Sequence, residues 1–193
     1  ETDQEVEKAA IDPAVFKDDD GRIYLIWGGG EIYITELNPE TGLLLENPHN
    51  KNGYDYRSTK IATTLGVWTE APYLYKNNDF YYLFVAEGHC CSGVDSTYEI
   101  FVGRSENISG PYLNREGGSM LDGEAEFILG SEGRFIGPGH VGIFDNKETS
   151  IFTYHFYDAE EDGLPKLGMT ELEWENGWPV VKHGMEYDLL WEN

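Results

Sequence analysis

The sequence is poor in basic residues. Only 13 Lys and Arg residues stand against 36 Asp and Glu residues, which gives a formal net charge of −23 at pH 7. Binding to phosphate groups needs a basic surface, because phosphates are neutralised by Lys and Arg. The charge therefore argues against nucleic acid and against an anionic membrane as partners. It suits a neutral partner such as a polysaccharide.

Long apolar runs and helix-like periodicity are also scarce. No stretch approaches the roughly 20 apolar residues that cross a bilayer. Residues 1–9 carry no secretory signal pattern and are interpreted as a solvated lead-in. The 193 residues include 23 Gly and 13 Tyr, and 14% of them are aromatic. This composition favours many short strands joined by tight turns within one domain, an all-β fold.

Cysteine is nearly absent, and its two copies are adjacent. Cys90 and Cys91 cannot form an ordinary long-range crosslink. Two interpretations stay open at this point. One is a vicinal disulfide, although most disulfides join Cα atoms farther apart than chain neighbours. The other is a pair of free thiols at a strand end, facing opposite sides. No second Cys or His pair stands at ligand spacing, which argues against a zinc site.

What is present is a unit that occurs three times. In each copy an ionisable residue precedes a short apolar strand, a polar turn and an aromatic-rich strand. The copies begin at Asp12, Glu70 and His140. Repeats of this length are typical of the blades of a β-propeller. Because the innermost strands of a propeller surround its axis, we expect these three side chains to meet in one pocket.

Three blades and a tail are predicted along the chain. The blades span about 10–60, 61–121 and 124–181, and residues 182–193 form an apolar tail. The predicted strands lie near 13–17, 22–27, 31–37, 71–76, 80–86, 98–104, 111–113, 126–129, 140–144, 150–156 and 166–174. Propellers have typically four to eight blades, so three do not close a ring. The remaining blade faces are therefore expected to be covered by something further.

Five short sequence motifs occur in order along the chain. Together with their spacing, they resemble the motifs of a known family. They are Ala10–Pro13, Trp68–Tyr73, Cys90–Tyr98, Gly137–His140 and Tyr154–Asp158. The sequence resembles glycoside hydrolase family 43 from residue 10 to about 181, and within it the arabinanases that cut α-1,5-linked arabinan. The resemblance implies a five-bladed β-propeller, of which this chain supplies about the C-terminal three blades.

The resemblance also implies roles for the residues that open the three units. Glu70 matches the general acid of an inverting hydrolase, and Asp12 matches the carboxylate that orients this acid and raises its pKa. His140 matches a histidine associated through water with a bound metal, usually calcium. The family's general base is an Asp that opens the first blade, and no residue here matches it. The chain alone is therefore expected to be nearly inert, with a complementing N-terminal chain or fragment as partner.

Other residues are candidates for contact with the sugar. Trp68 suits stacking on a sugar ring or packing in the core. His89 and His155 stand beside strand ends where they could line the groove, and Ser92 and Asp95 are candidates for binding sugar hydroxyls. The short Gly-rich loop 28–30 leaves endo and exo action equally open.

Two alternatives to an arabinanase remain. The first is a β-xylosidase or α-arabinofuranosidase of the same family. The second is a carbohydrate-binding fragment without catalysis, which would lack the base and keep the aromatic side chains. The strings Cys90–Gly93 and Gly137–His140 favour an arabinanase. Secretion follows only from the substrate class, because arabinan is extracellular.

Overall fold

The computed structural model describes residues 10–45, 58–145 and 149–184. Its regular elements are strands and three short 3₁₀ turns. The strands are β1 (Ala14–Lys17), β2 (Ile23–Trp27), β3 (Glu31–Leu37), β4 (Thr59–Thr63), β5 (Thr69–Asn77), β6 (Phe80–Glu87), β7 (Glu99–Ser105), β8 (Glu126–Leu129), β9 (Phe135–Asp145), β10 (Ser150–Asp158), β11 (Leu164–Glu171), β12 (Glu173–Glu175) and β13 (Trp178–Val180). Within these ranges, no helix is long and apolar enough to cross a membrane.

The strands form antiparallel sheets that follow the order of the chain. Two sheets have four strands each, β1-β2-β3-β4 and β5-β6-β7-β8. A third sheet has the order β11-β10-β9, and β12 and β13 form a separate hairpin. The first strands of the sheets lie side by side, since β1 contacts β5 and β5 contacts β9. The three sheets are therefore consecutive blades around a common axis, as the repeat predicts.

The outermost strands correct the predicted blade boundaries. β4 pairs with β3, so residues 61–63 complete the first blade and do not open the second. β8 likewise pairs with β7, which places 126–129 in the second blade and not in the third. Each of these fourth strands follows a long connection. The repeated pattern covers only the inner strands, so it assigned each outer strand to the wrong neighbour.

Two further strand predictions also change. Residues 111–113 form no strand; only Leu113 makes isolated bridges, to Arg104 and Ser119. The strand predicted over 166–174 is two strands, β11 and β12, which are separated at Leu172. Leu172 is buried, and its N–H donates to the carbonyl of Ser150 at 2.8 Å. The chain leaves the third sheet at this residue.

The core has two layers, one on each face of the second blade. One layer joins Ile26 and Ile32 of the first blade to Leu83 and Val85 of the second. The other joins Phe84 of the second blade to Phe152 and other aromatic side chains of the third. Successive residues of a strand point to opposite faces of a sheet. Strand β6 is therefore apolar on both faces, which makes the second blade the centre of the described structure.

The first and third blades each have a face that points away from the second blade, and these faces carry exposed apolar side chains. Val15 stands on β1 beside Phe16, which packs into the first core layer and so points the other way. Phe144 and Leu167 are strongly exposed on the third blade. They alternate with Ile143 and Lys166, and Ile143 packs into the second core layer. These two outer faces have the composition of surfaces that pack against another sheet.

Candidate active site

A residue with left-handed backbone conformation stands just before β1, and another lies within each of β5 and β9. The φ angles are +49° at Asp12, +52° at Ala71 and +55° at His140. Such a conformation costs an L-residue other than glycine on the order of 1 kcal/mol, and it concentrates at functional sites. Register shifts show that Ala71 lies at a bulge of β5 and His140 at a bulge of β9. A bulge redirects a strand, and here it redirects both strands at the axis.

The backbone corrects one predicted equivalence. Glu70 was expected to occupy the place in its blade that Asp12 occupies in the first. The left-handed counterpart of Asp12 is Ala71, and Glu70 is the residue before it. A bulge inserts an extra residue, so counting along the repeat is off by one at this point.

The three predicted side chains nevertheless meet. Asp12, Glu70 and His140 line one open cavity of about 580 Å³. The other lining residues are Cys90, Cys91, Gly93, Tyr98, His155, Tyr157, Gly163 and Pro165. The structure thus confirms the predicted meeting of two carboxyl groups and an imidazole at the axis, with one side chain from each blade.

Glu70 has the environment of a proton donor. Burial raises the pKa of its carboxyl group, and the negative charge of Asp12 raises it further. A hydrogen bond from Trp68 Nε1 to Glu70 Oε2, 2.7 Å long, and the nearby His140 lower the pKa without cancelling the rise. Raising the pKa of a carboxyl group keeps it protonated closer to neutral pH. Glu70 is therefore suited to donate a proton to a leaving group.

Asp12 is tied to the chain beside Glu70. Its Oδ2 atom accepts a hydrogen bond of 3.0 Å from the backbone N–H of Ala71. This bond joins the first blade to the second at the residue that follows Glu70. Asp12 can thus act on Glu70 in two ways, through its charge and through the position of the backbone.

Replacing Asp12 by Asn is expected to lower the pKa of Glu70, because the substitution removes a negative charge that raises it. Asn keeps an acceptor for the Ala71 N–H and tolerates the left-handed conformation. A ¹³C NMR titration of the Glu70 carboxyl carbon measures the change. The exposed Asp95, outside the cavity lining, supplies the control Asp95→Asn, which should leave the titration unchanged. An unchanged or higher pKa in Asp12→Asn would show that Asp12 does not act by its charge.

Trp68 lies at the rim of the site. Its indole contacts Glu70, and its ring packs on the glycine loop, where a Cβ atom at Gly29 would lie 2.8 Å from the ring. Side chains larger than glycine would thus displace the ring at this point. Trp68 is exposed, so its apolar face is accessible for stacking. Stacking on a sugar stays a prediction.

The other predicted sugar contacts lie on the loop that follows β6. His89, Ser92 and Asp95 are exposed, and they do not belong to the lining of the cavity. Ser92 donates its backbone N–H to Ser96 Oγ at 3.0 Å, which closes the loop. Contact of these three side chains with a substrate stays a prediction.

The same loop carries the two cysteines, which form a vicinal disulfide. Of the two interpretations of the sequence, the structure thus has the crosslinked one. Cys90 packs against Ala71 and Tyr98, so the disulfide lies directly beside the strand that carries Glu70. The backbone N–H of Cys91 donates to the hydroxyl of Tyr157 at 2.7 Å. The disulfide is therefore a fixed part of the cavity wall between the second and third blades.

Aromatic residues of the third blade complete the wall. His155, which was expected to line the groove, does line the cavity and lies between the rings of Tyr98 and Tyr157. Its Nε2 atom is buried and has no hydrogen-bond partner within the described part of the chain. Burial, and then the charge of His140, lower the pKa of His155. Tyr98 and Tyr157 were not predicted, because their strand positions match those of core residues.

An ion cluster anchors the turn that closes this side of the cavity. The carboxyl group of Asp158 is fully buried and bonds to Arg134 and Lys166. The hydrogen bonds from Arg134 outweigh the effect of burial and hold the pKa of Asp158 well below its usual range. Gly163 and Pro165, which line the cavity, lie in and just after the turn between Asp158 and Lys166. The cluster therefore fixes their position.

The described residues do not fit a calcium ion bound directly by protein. Calcium takes six to eight oxygen ligands. Among residues 10–45, 58–145 and 149–184, no group of three His, Cys, Asp or Glu side chains could hold a metal ion. His140 is exposed at the axis, and its contact with calcium through water stays a prediction.

Comparison with known proteins agrees with the fold. The model of "Glycosyl hydrolases family 43" matches residues 2–179. The extracellular endo-α-(1→5)-L-arabinanase 1 of Bacillus subtilis (strain 168) is 38% identical over 88% of this chain and 50% of the relative. The extracellular exo-α-(1→5)-L-arabinofuranosidase ArbA of Cellvibrio japonicus (strain Ueda107) is 32% identical over 89% of the chain and 51% of the relative.

A solved structure gives the same result. The Cellvibrio cellulosa α-L-arabinanase complexed with arabinohexaose superposes with a TM-score of 0.80 at 30% identity, over 90% of this chain and 57% of that one. The chain thus spans about half the length of the curated relatives it matches. Its fold is a partial five-bladed β-propeller, of which it supplies about three blades.

Proposed function

The chain belongs to glycosyl hydrolases family 43, and from this we propose that it is the part of an arabinanase that carries the general acid. The observation that carries the proposal is the pair of Glu70 and Asp12 in one cavity, with the pKa of Glu70 raised by burial and by Asp12. The substrate class is α-1,5-linked arabinan or its oligosaccharides. Several relatives are named for action on this linkage.

The reaction is hydrolysis with inversion. Glu70 gives its proton to the glycosidic oxygen as the bond from that oxygen to the anomeric carbon breaks. A water molecule attacks the same carbon from the opposite face and loses its proton to a general base. In inverting enzymes the base lies about 6.5–9.5 Å from the acid. The base is supplied by the remaining blades, and Asp12 holds Glu70 in place and keeps it protonated.

The outer faces of the described blades support a partner. Val15 on the first blade and Phe144 and Leu167 on the third are exposed and apolar, as at a sheet that packs against another sheet. The remaining blades, on a complementing N-terminal chain or fragment, would cover both faces. They would also bring the base to the axis, where Asp12 and Glu70 lie.

The other expected features complete the proposal. Trp68, His89, Ser92 and Asp95 contact the bound polysaccharide around the cavity. His140 would hold a calcium ion through water, where the ion would supply positive charge, and no step of the reaction above depends on it. The protein is secreted, as arabinan is extracellular and the relatives are named extracellular enzymes.

The test compares this chain alone with the chain joined to the remaining propeller blades. Reducing sugar released from debranched arabinan is measured for both, and ¹H NMR identifies the anomer formed first. We expect activity with inversion for the complete propeller. The chain alone should be slower by about 10²–10⁴-fold, the usual contribution of a general base. If the complete propeller binds arabinan but does not hydrolyse it, the protein is a carbohydrate-binding protein and not an enzyme. If it prefers xylo-oligosaccharides, arabinan is not its substrate.

A further inference from the structure

Glu87 is a buried acid outside the cavity that holds Glu70. It is the last residue of β6, and only 8% of its surface is exposed. In the part of the chain that the structure describes, no Lys, Arg or His forms an ion pair with it. Buried carboxylates are costly unless other groups compensate the charge. The groups that compensate Glu87 therefore indicate what it does.

Four hydrogen-bond donors from one short segment surround the carboxylate. Its Oε1 atom accepts the backbone N–H groups of Val67 and Trp68, the latter at 2.9 Å. Its Oε2 atom accepts the N–H of Leu65 at 3.3 Å and the hydroxyl of Thr69. Carboxylates that accept several backbone N–H groups form strong, charge-assisted bonds. All four donors lie within residues 65–69, the segment that leads directly into Glu70.

Trp68 connects this segment to the site. Its backbone is held on both sides, because its N–H donates to Glu87 and its carbonyl accepts from the N–H of Gly88 at 3.0 Å. Its indole Nε1 then donates to Glu70 Oε2 at 2.7 Å. One path from Glu87 to the carboxyl group of Glu70 thus consists of one backbone contact and one side-chain contact, both through Trp68. Thr69, which donates its hydroxyl to Glu87 and precedes Glu70 in the chain, connects the backbone of the two residues.

We propose that Glu87 is a positioning residue that fixes segment 65–69 and thereby aims the Trp68 indole at the general acid Glu70. This inference rests on the proposed function for the role of Glu70 as general acid. The contacts of Glu87 and Trp68 from which it is argued do not depend on any reaction. Glu87 touches neither Asp12 nor His140, the titratable groups that face Glu70 from the first and third blades. Its connection to the side chain of Glu70 runs through the indole of Trp68.

The carboxylate is required because all four neighbours donate. Replacing Glu87 by Gln removes the charge and puts an NH₂ group in place of one accepting oxygen. At the Oε1 position it leaves the N–H groups of Val67 and Trp68 without this acceptor, and at the Oε2 position it leaves the N–H of Leu65 with only Thr69 Oγ1, at 3.0 Å. The segment would then move, and the indole would no longer lie 2.7 Å from Glu70. Misplacement of about 1 Å at a catalytic group can cost 10²-fold in rate.

The test is made on the complete propeller with debranched arabinan. Glu87→Gln is expected to lower kcat by about 10–100-fold. It should move the alkaline limb of the pH–rate profile to higher pH, because the indole bond lowers the pKa of Glu70. Trp68→Phe, which keeps the apolar ring and removes the indole N–H, should move the limb in the same direction. The double variant should be no slower than the slower single variant, because both substitutions break the same connection between Glu87 and Glu70.

The matched control is Glu99→Gln, the same chemical change on the residue that pairs with Glu87 across β6 and β7. Glu99 is exposed, and its rate and pH profile should stay near those of the unmodified protein. Independent, multiplying effects of Glu87→Gln and Trp68→Phe would overturn the proposal. So would a rate loss in Glu87→Gln without a shift of the alkaline limb, since that result indicates only a structural role.

A second readout does not need activity. The indole N–H signal of Trp68 in ¹H–¹⁵N NMR is assigned by its loss in Trp68→Phe. It should shift in Glu87→Gln and in Thr69→Val, which removes the hydroxyl that donates to Glu87 and accepts the N–H of Leu65 at 3.0 Å, and stay in place in Glu99→Gln. If the complete propeller proves inactive while these shifts occur, the proposed function fails and the positioning of Trp68 stands. If the signal does not move in either variant, the positioning is wrong whatever the activity.

Discussion

Replacing Glu70 by Gln in the complete propeller is expected to lower kcat on debranched arabinan by about 10²–10⁴-fold, the usual contribution of general acid catalysis. Gln has the shape of Glu and still accepts the hydrogen bond from Trp68 Nε1. It cannot give a proton to the glycosidic oxygen. Substrate binding depends on the cavity, which the substitution leaves in place, so KM should change little.

A substrate with a different leaving group tests the role of Glu70 as a proton donor more specifically. An aryl arabinoside releases a phenolate that needs little protonation, so Glu70→Gln should reduce its hydrolysis far less than that of arabinan. The exposed Glu132 supplies the control Glu132→Gln, which should keep the rate on both substrates. Equal losses on both substrates would assign Glu70 a role other than general acid. If Glu70→Gln kept more than a tenth of the original rate on arabinan, Glu70 would have no essential role.

Replacing Phe84 by Ala is expected to lower the free energy of unfolding of the chain by about 3–5 kcal/mol. Phe84 exposes 0% of its surface and packs against Phe152, with ring centroids 5.7 Å apart. The substitution opens a cavity in the core layer that joins the second and third blades. Urea unfolding followed by tryptophan fluorescence measures the change.

The comparison for Phe84 is a phenylalanine on the surface. Phe127 is 53% exposed, and Phe127→Ala should cost less than about 1 kcal/mol. A cost of the same size in both variants would indicate that the core layer around Phe84 is not tightly packed. Glu70 and Phe84 face different partners, so their variants are expected to change activity and stability separately.

The inner strands could be predicted from the sequence because their pattern is repeated. Alternation of apolar and aromatic residues indicates strands such as β2 and β6, and the repeat places them in successive blades. The outer strands could not be placed. β4 and β8 are short, follow long connections and match no repeated pattern, so only their hydrogen bonds show the sheets to which they belong.

The site was predictable in part for the same reason. The repeat identified Asp12, Glu70 and His140, and the structure places all three at one cavity. Glu87 gave no signal, since its partners are backbone N–H groups, which every residue except proline carries. The bulge at Ala71 was missed because it depends on pairing with a neighbouring strand, which a single sequence does not record.

The left-handed residues at positions 12, 71 and 140 limit how the cavity can be altered by directed evolution. At positions 12 and 140 the backbone admits Gly, Asn, Asp and His at low cost, whereas Val, Ile and Thr would strain it. A library that samples only the first group there avoids this strain while it varies the charge at the axis. At position 71 the useful choice is narrower still, since the side chain is buried against Ala86 and Tyr98. Selection for new sugar specificity is therefore better directed at His89, Ser92 and Asp95, which are exposed and have no left-handed backbone.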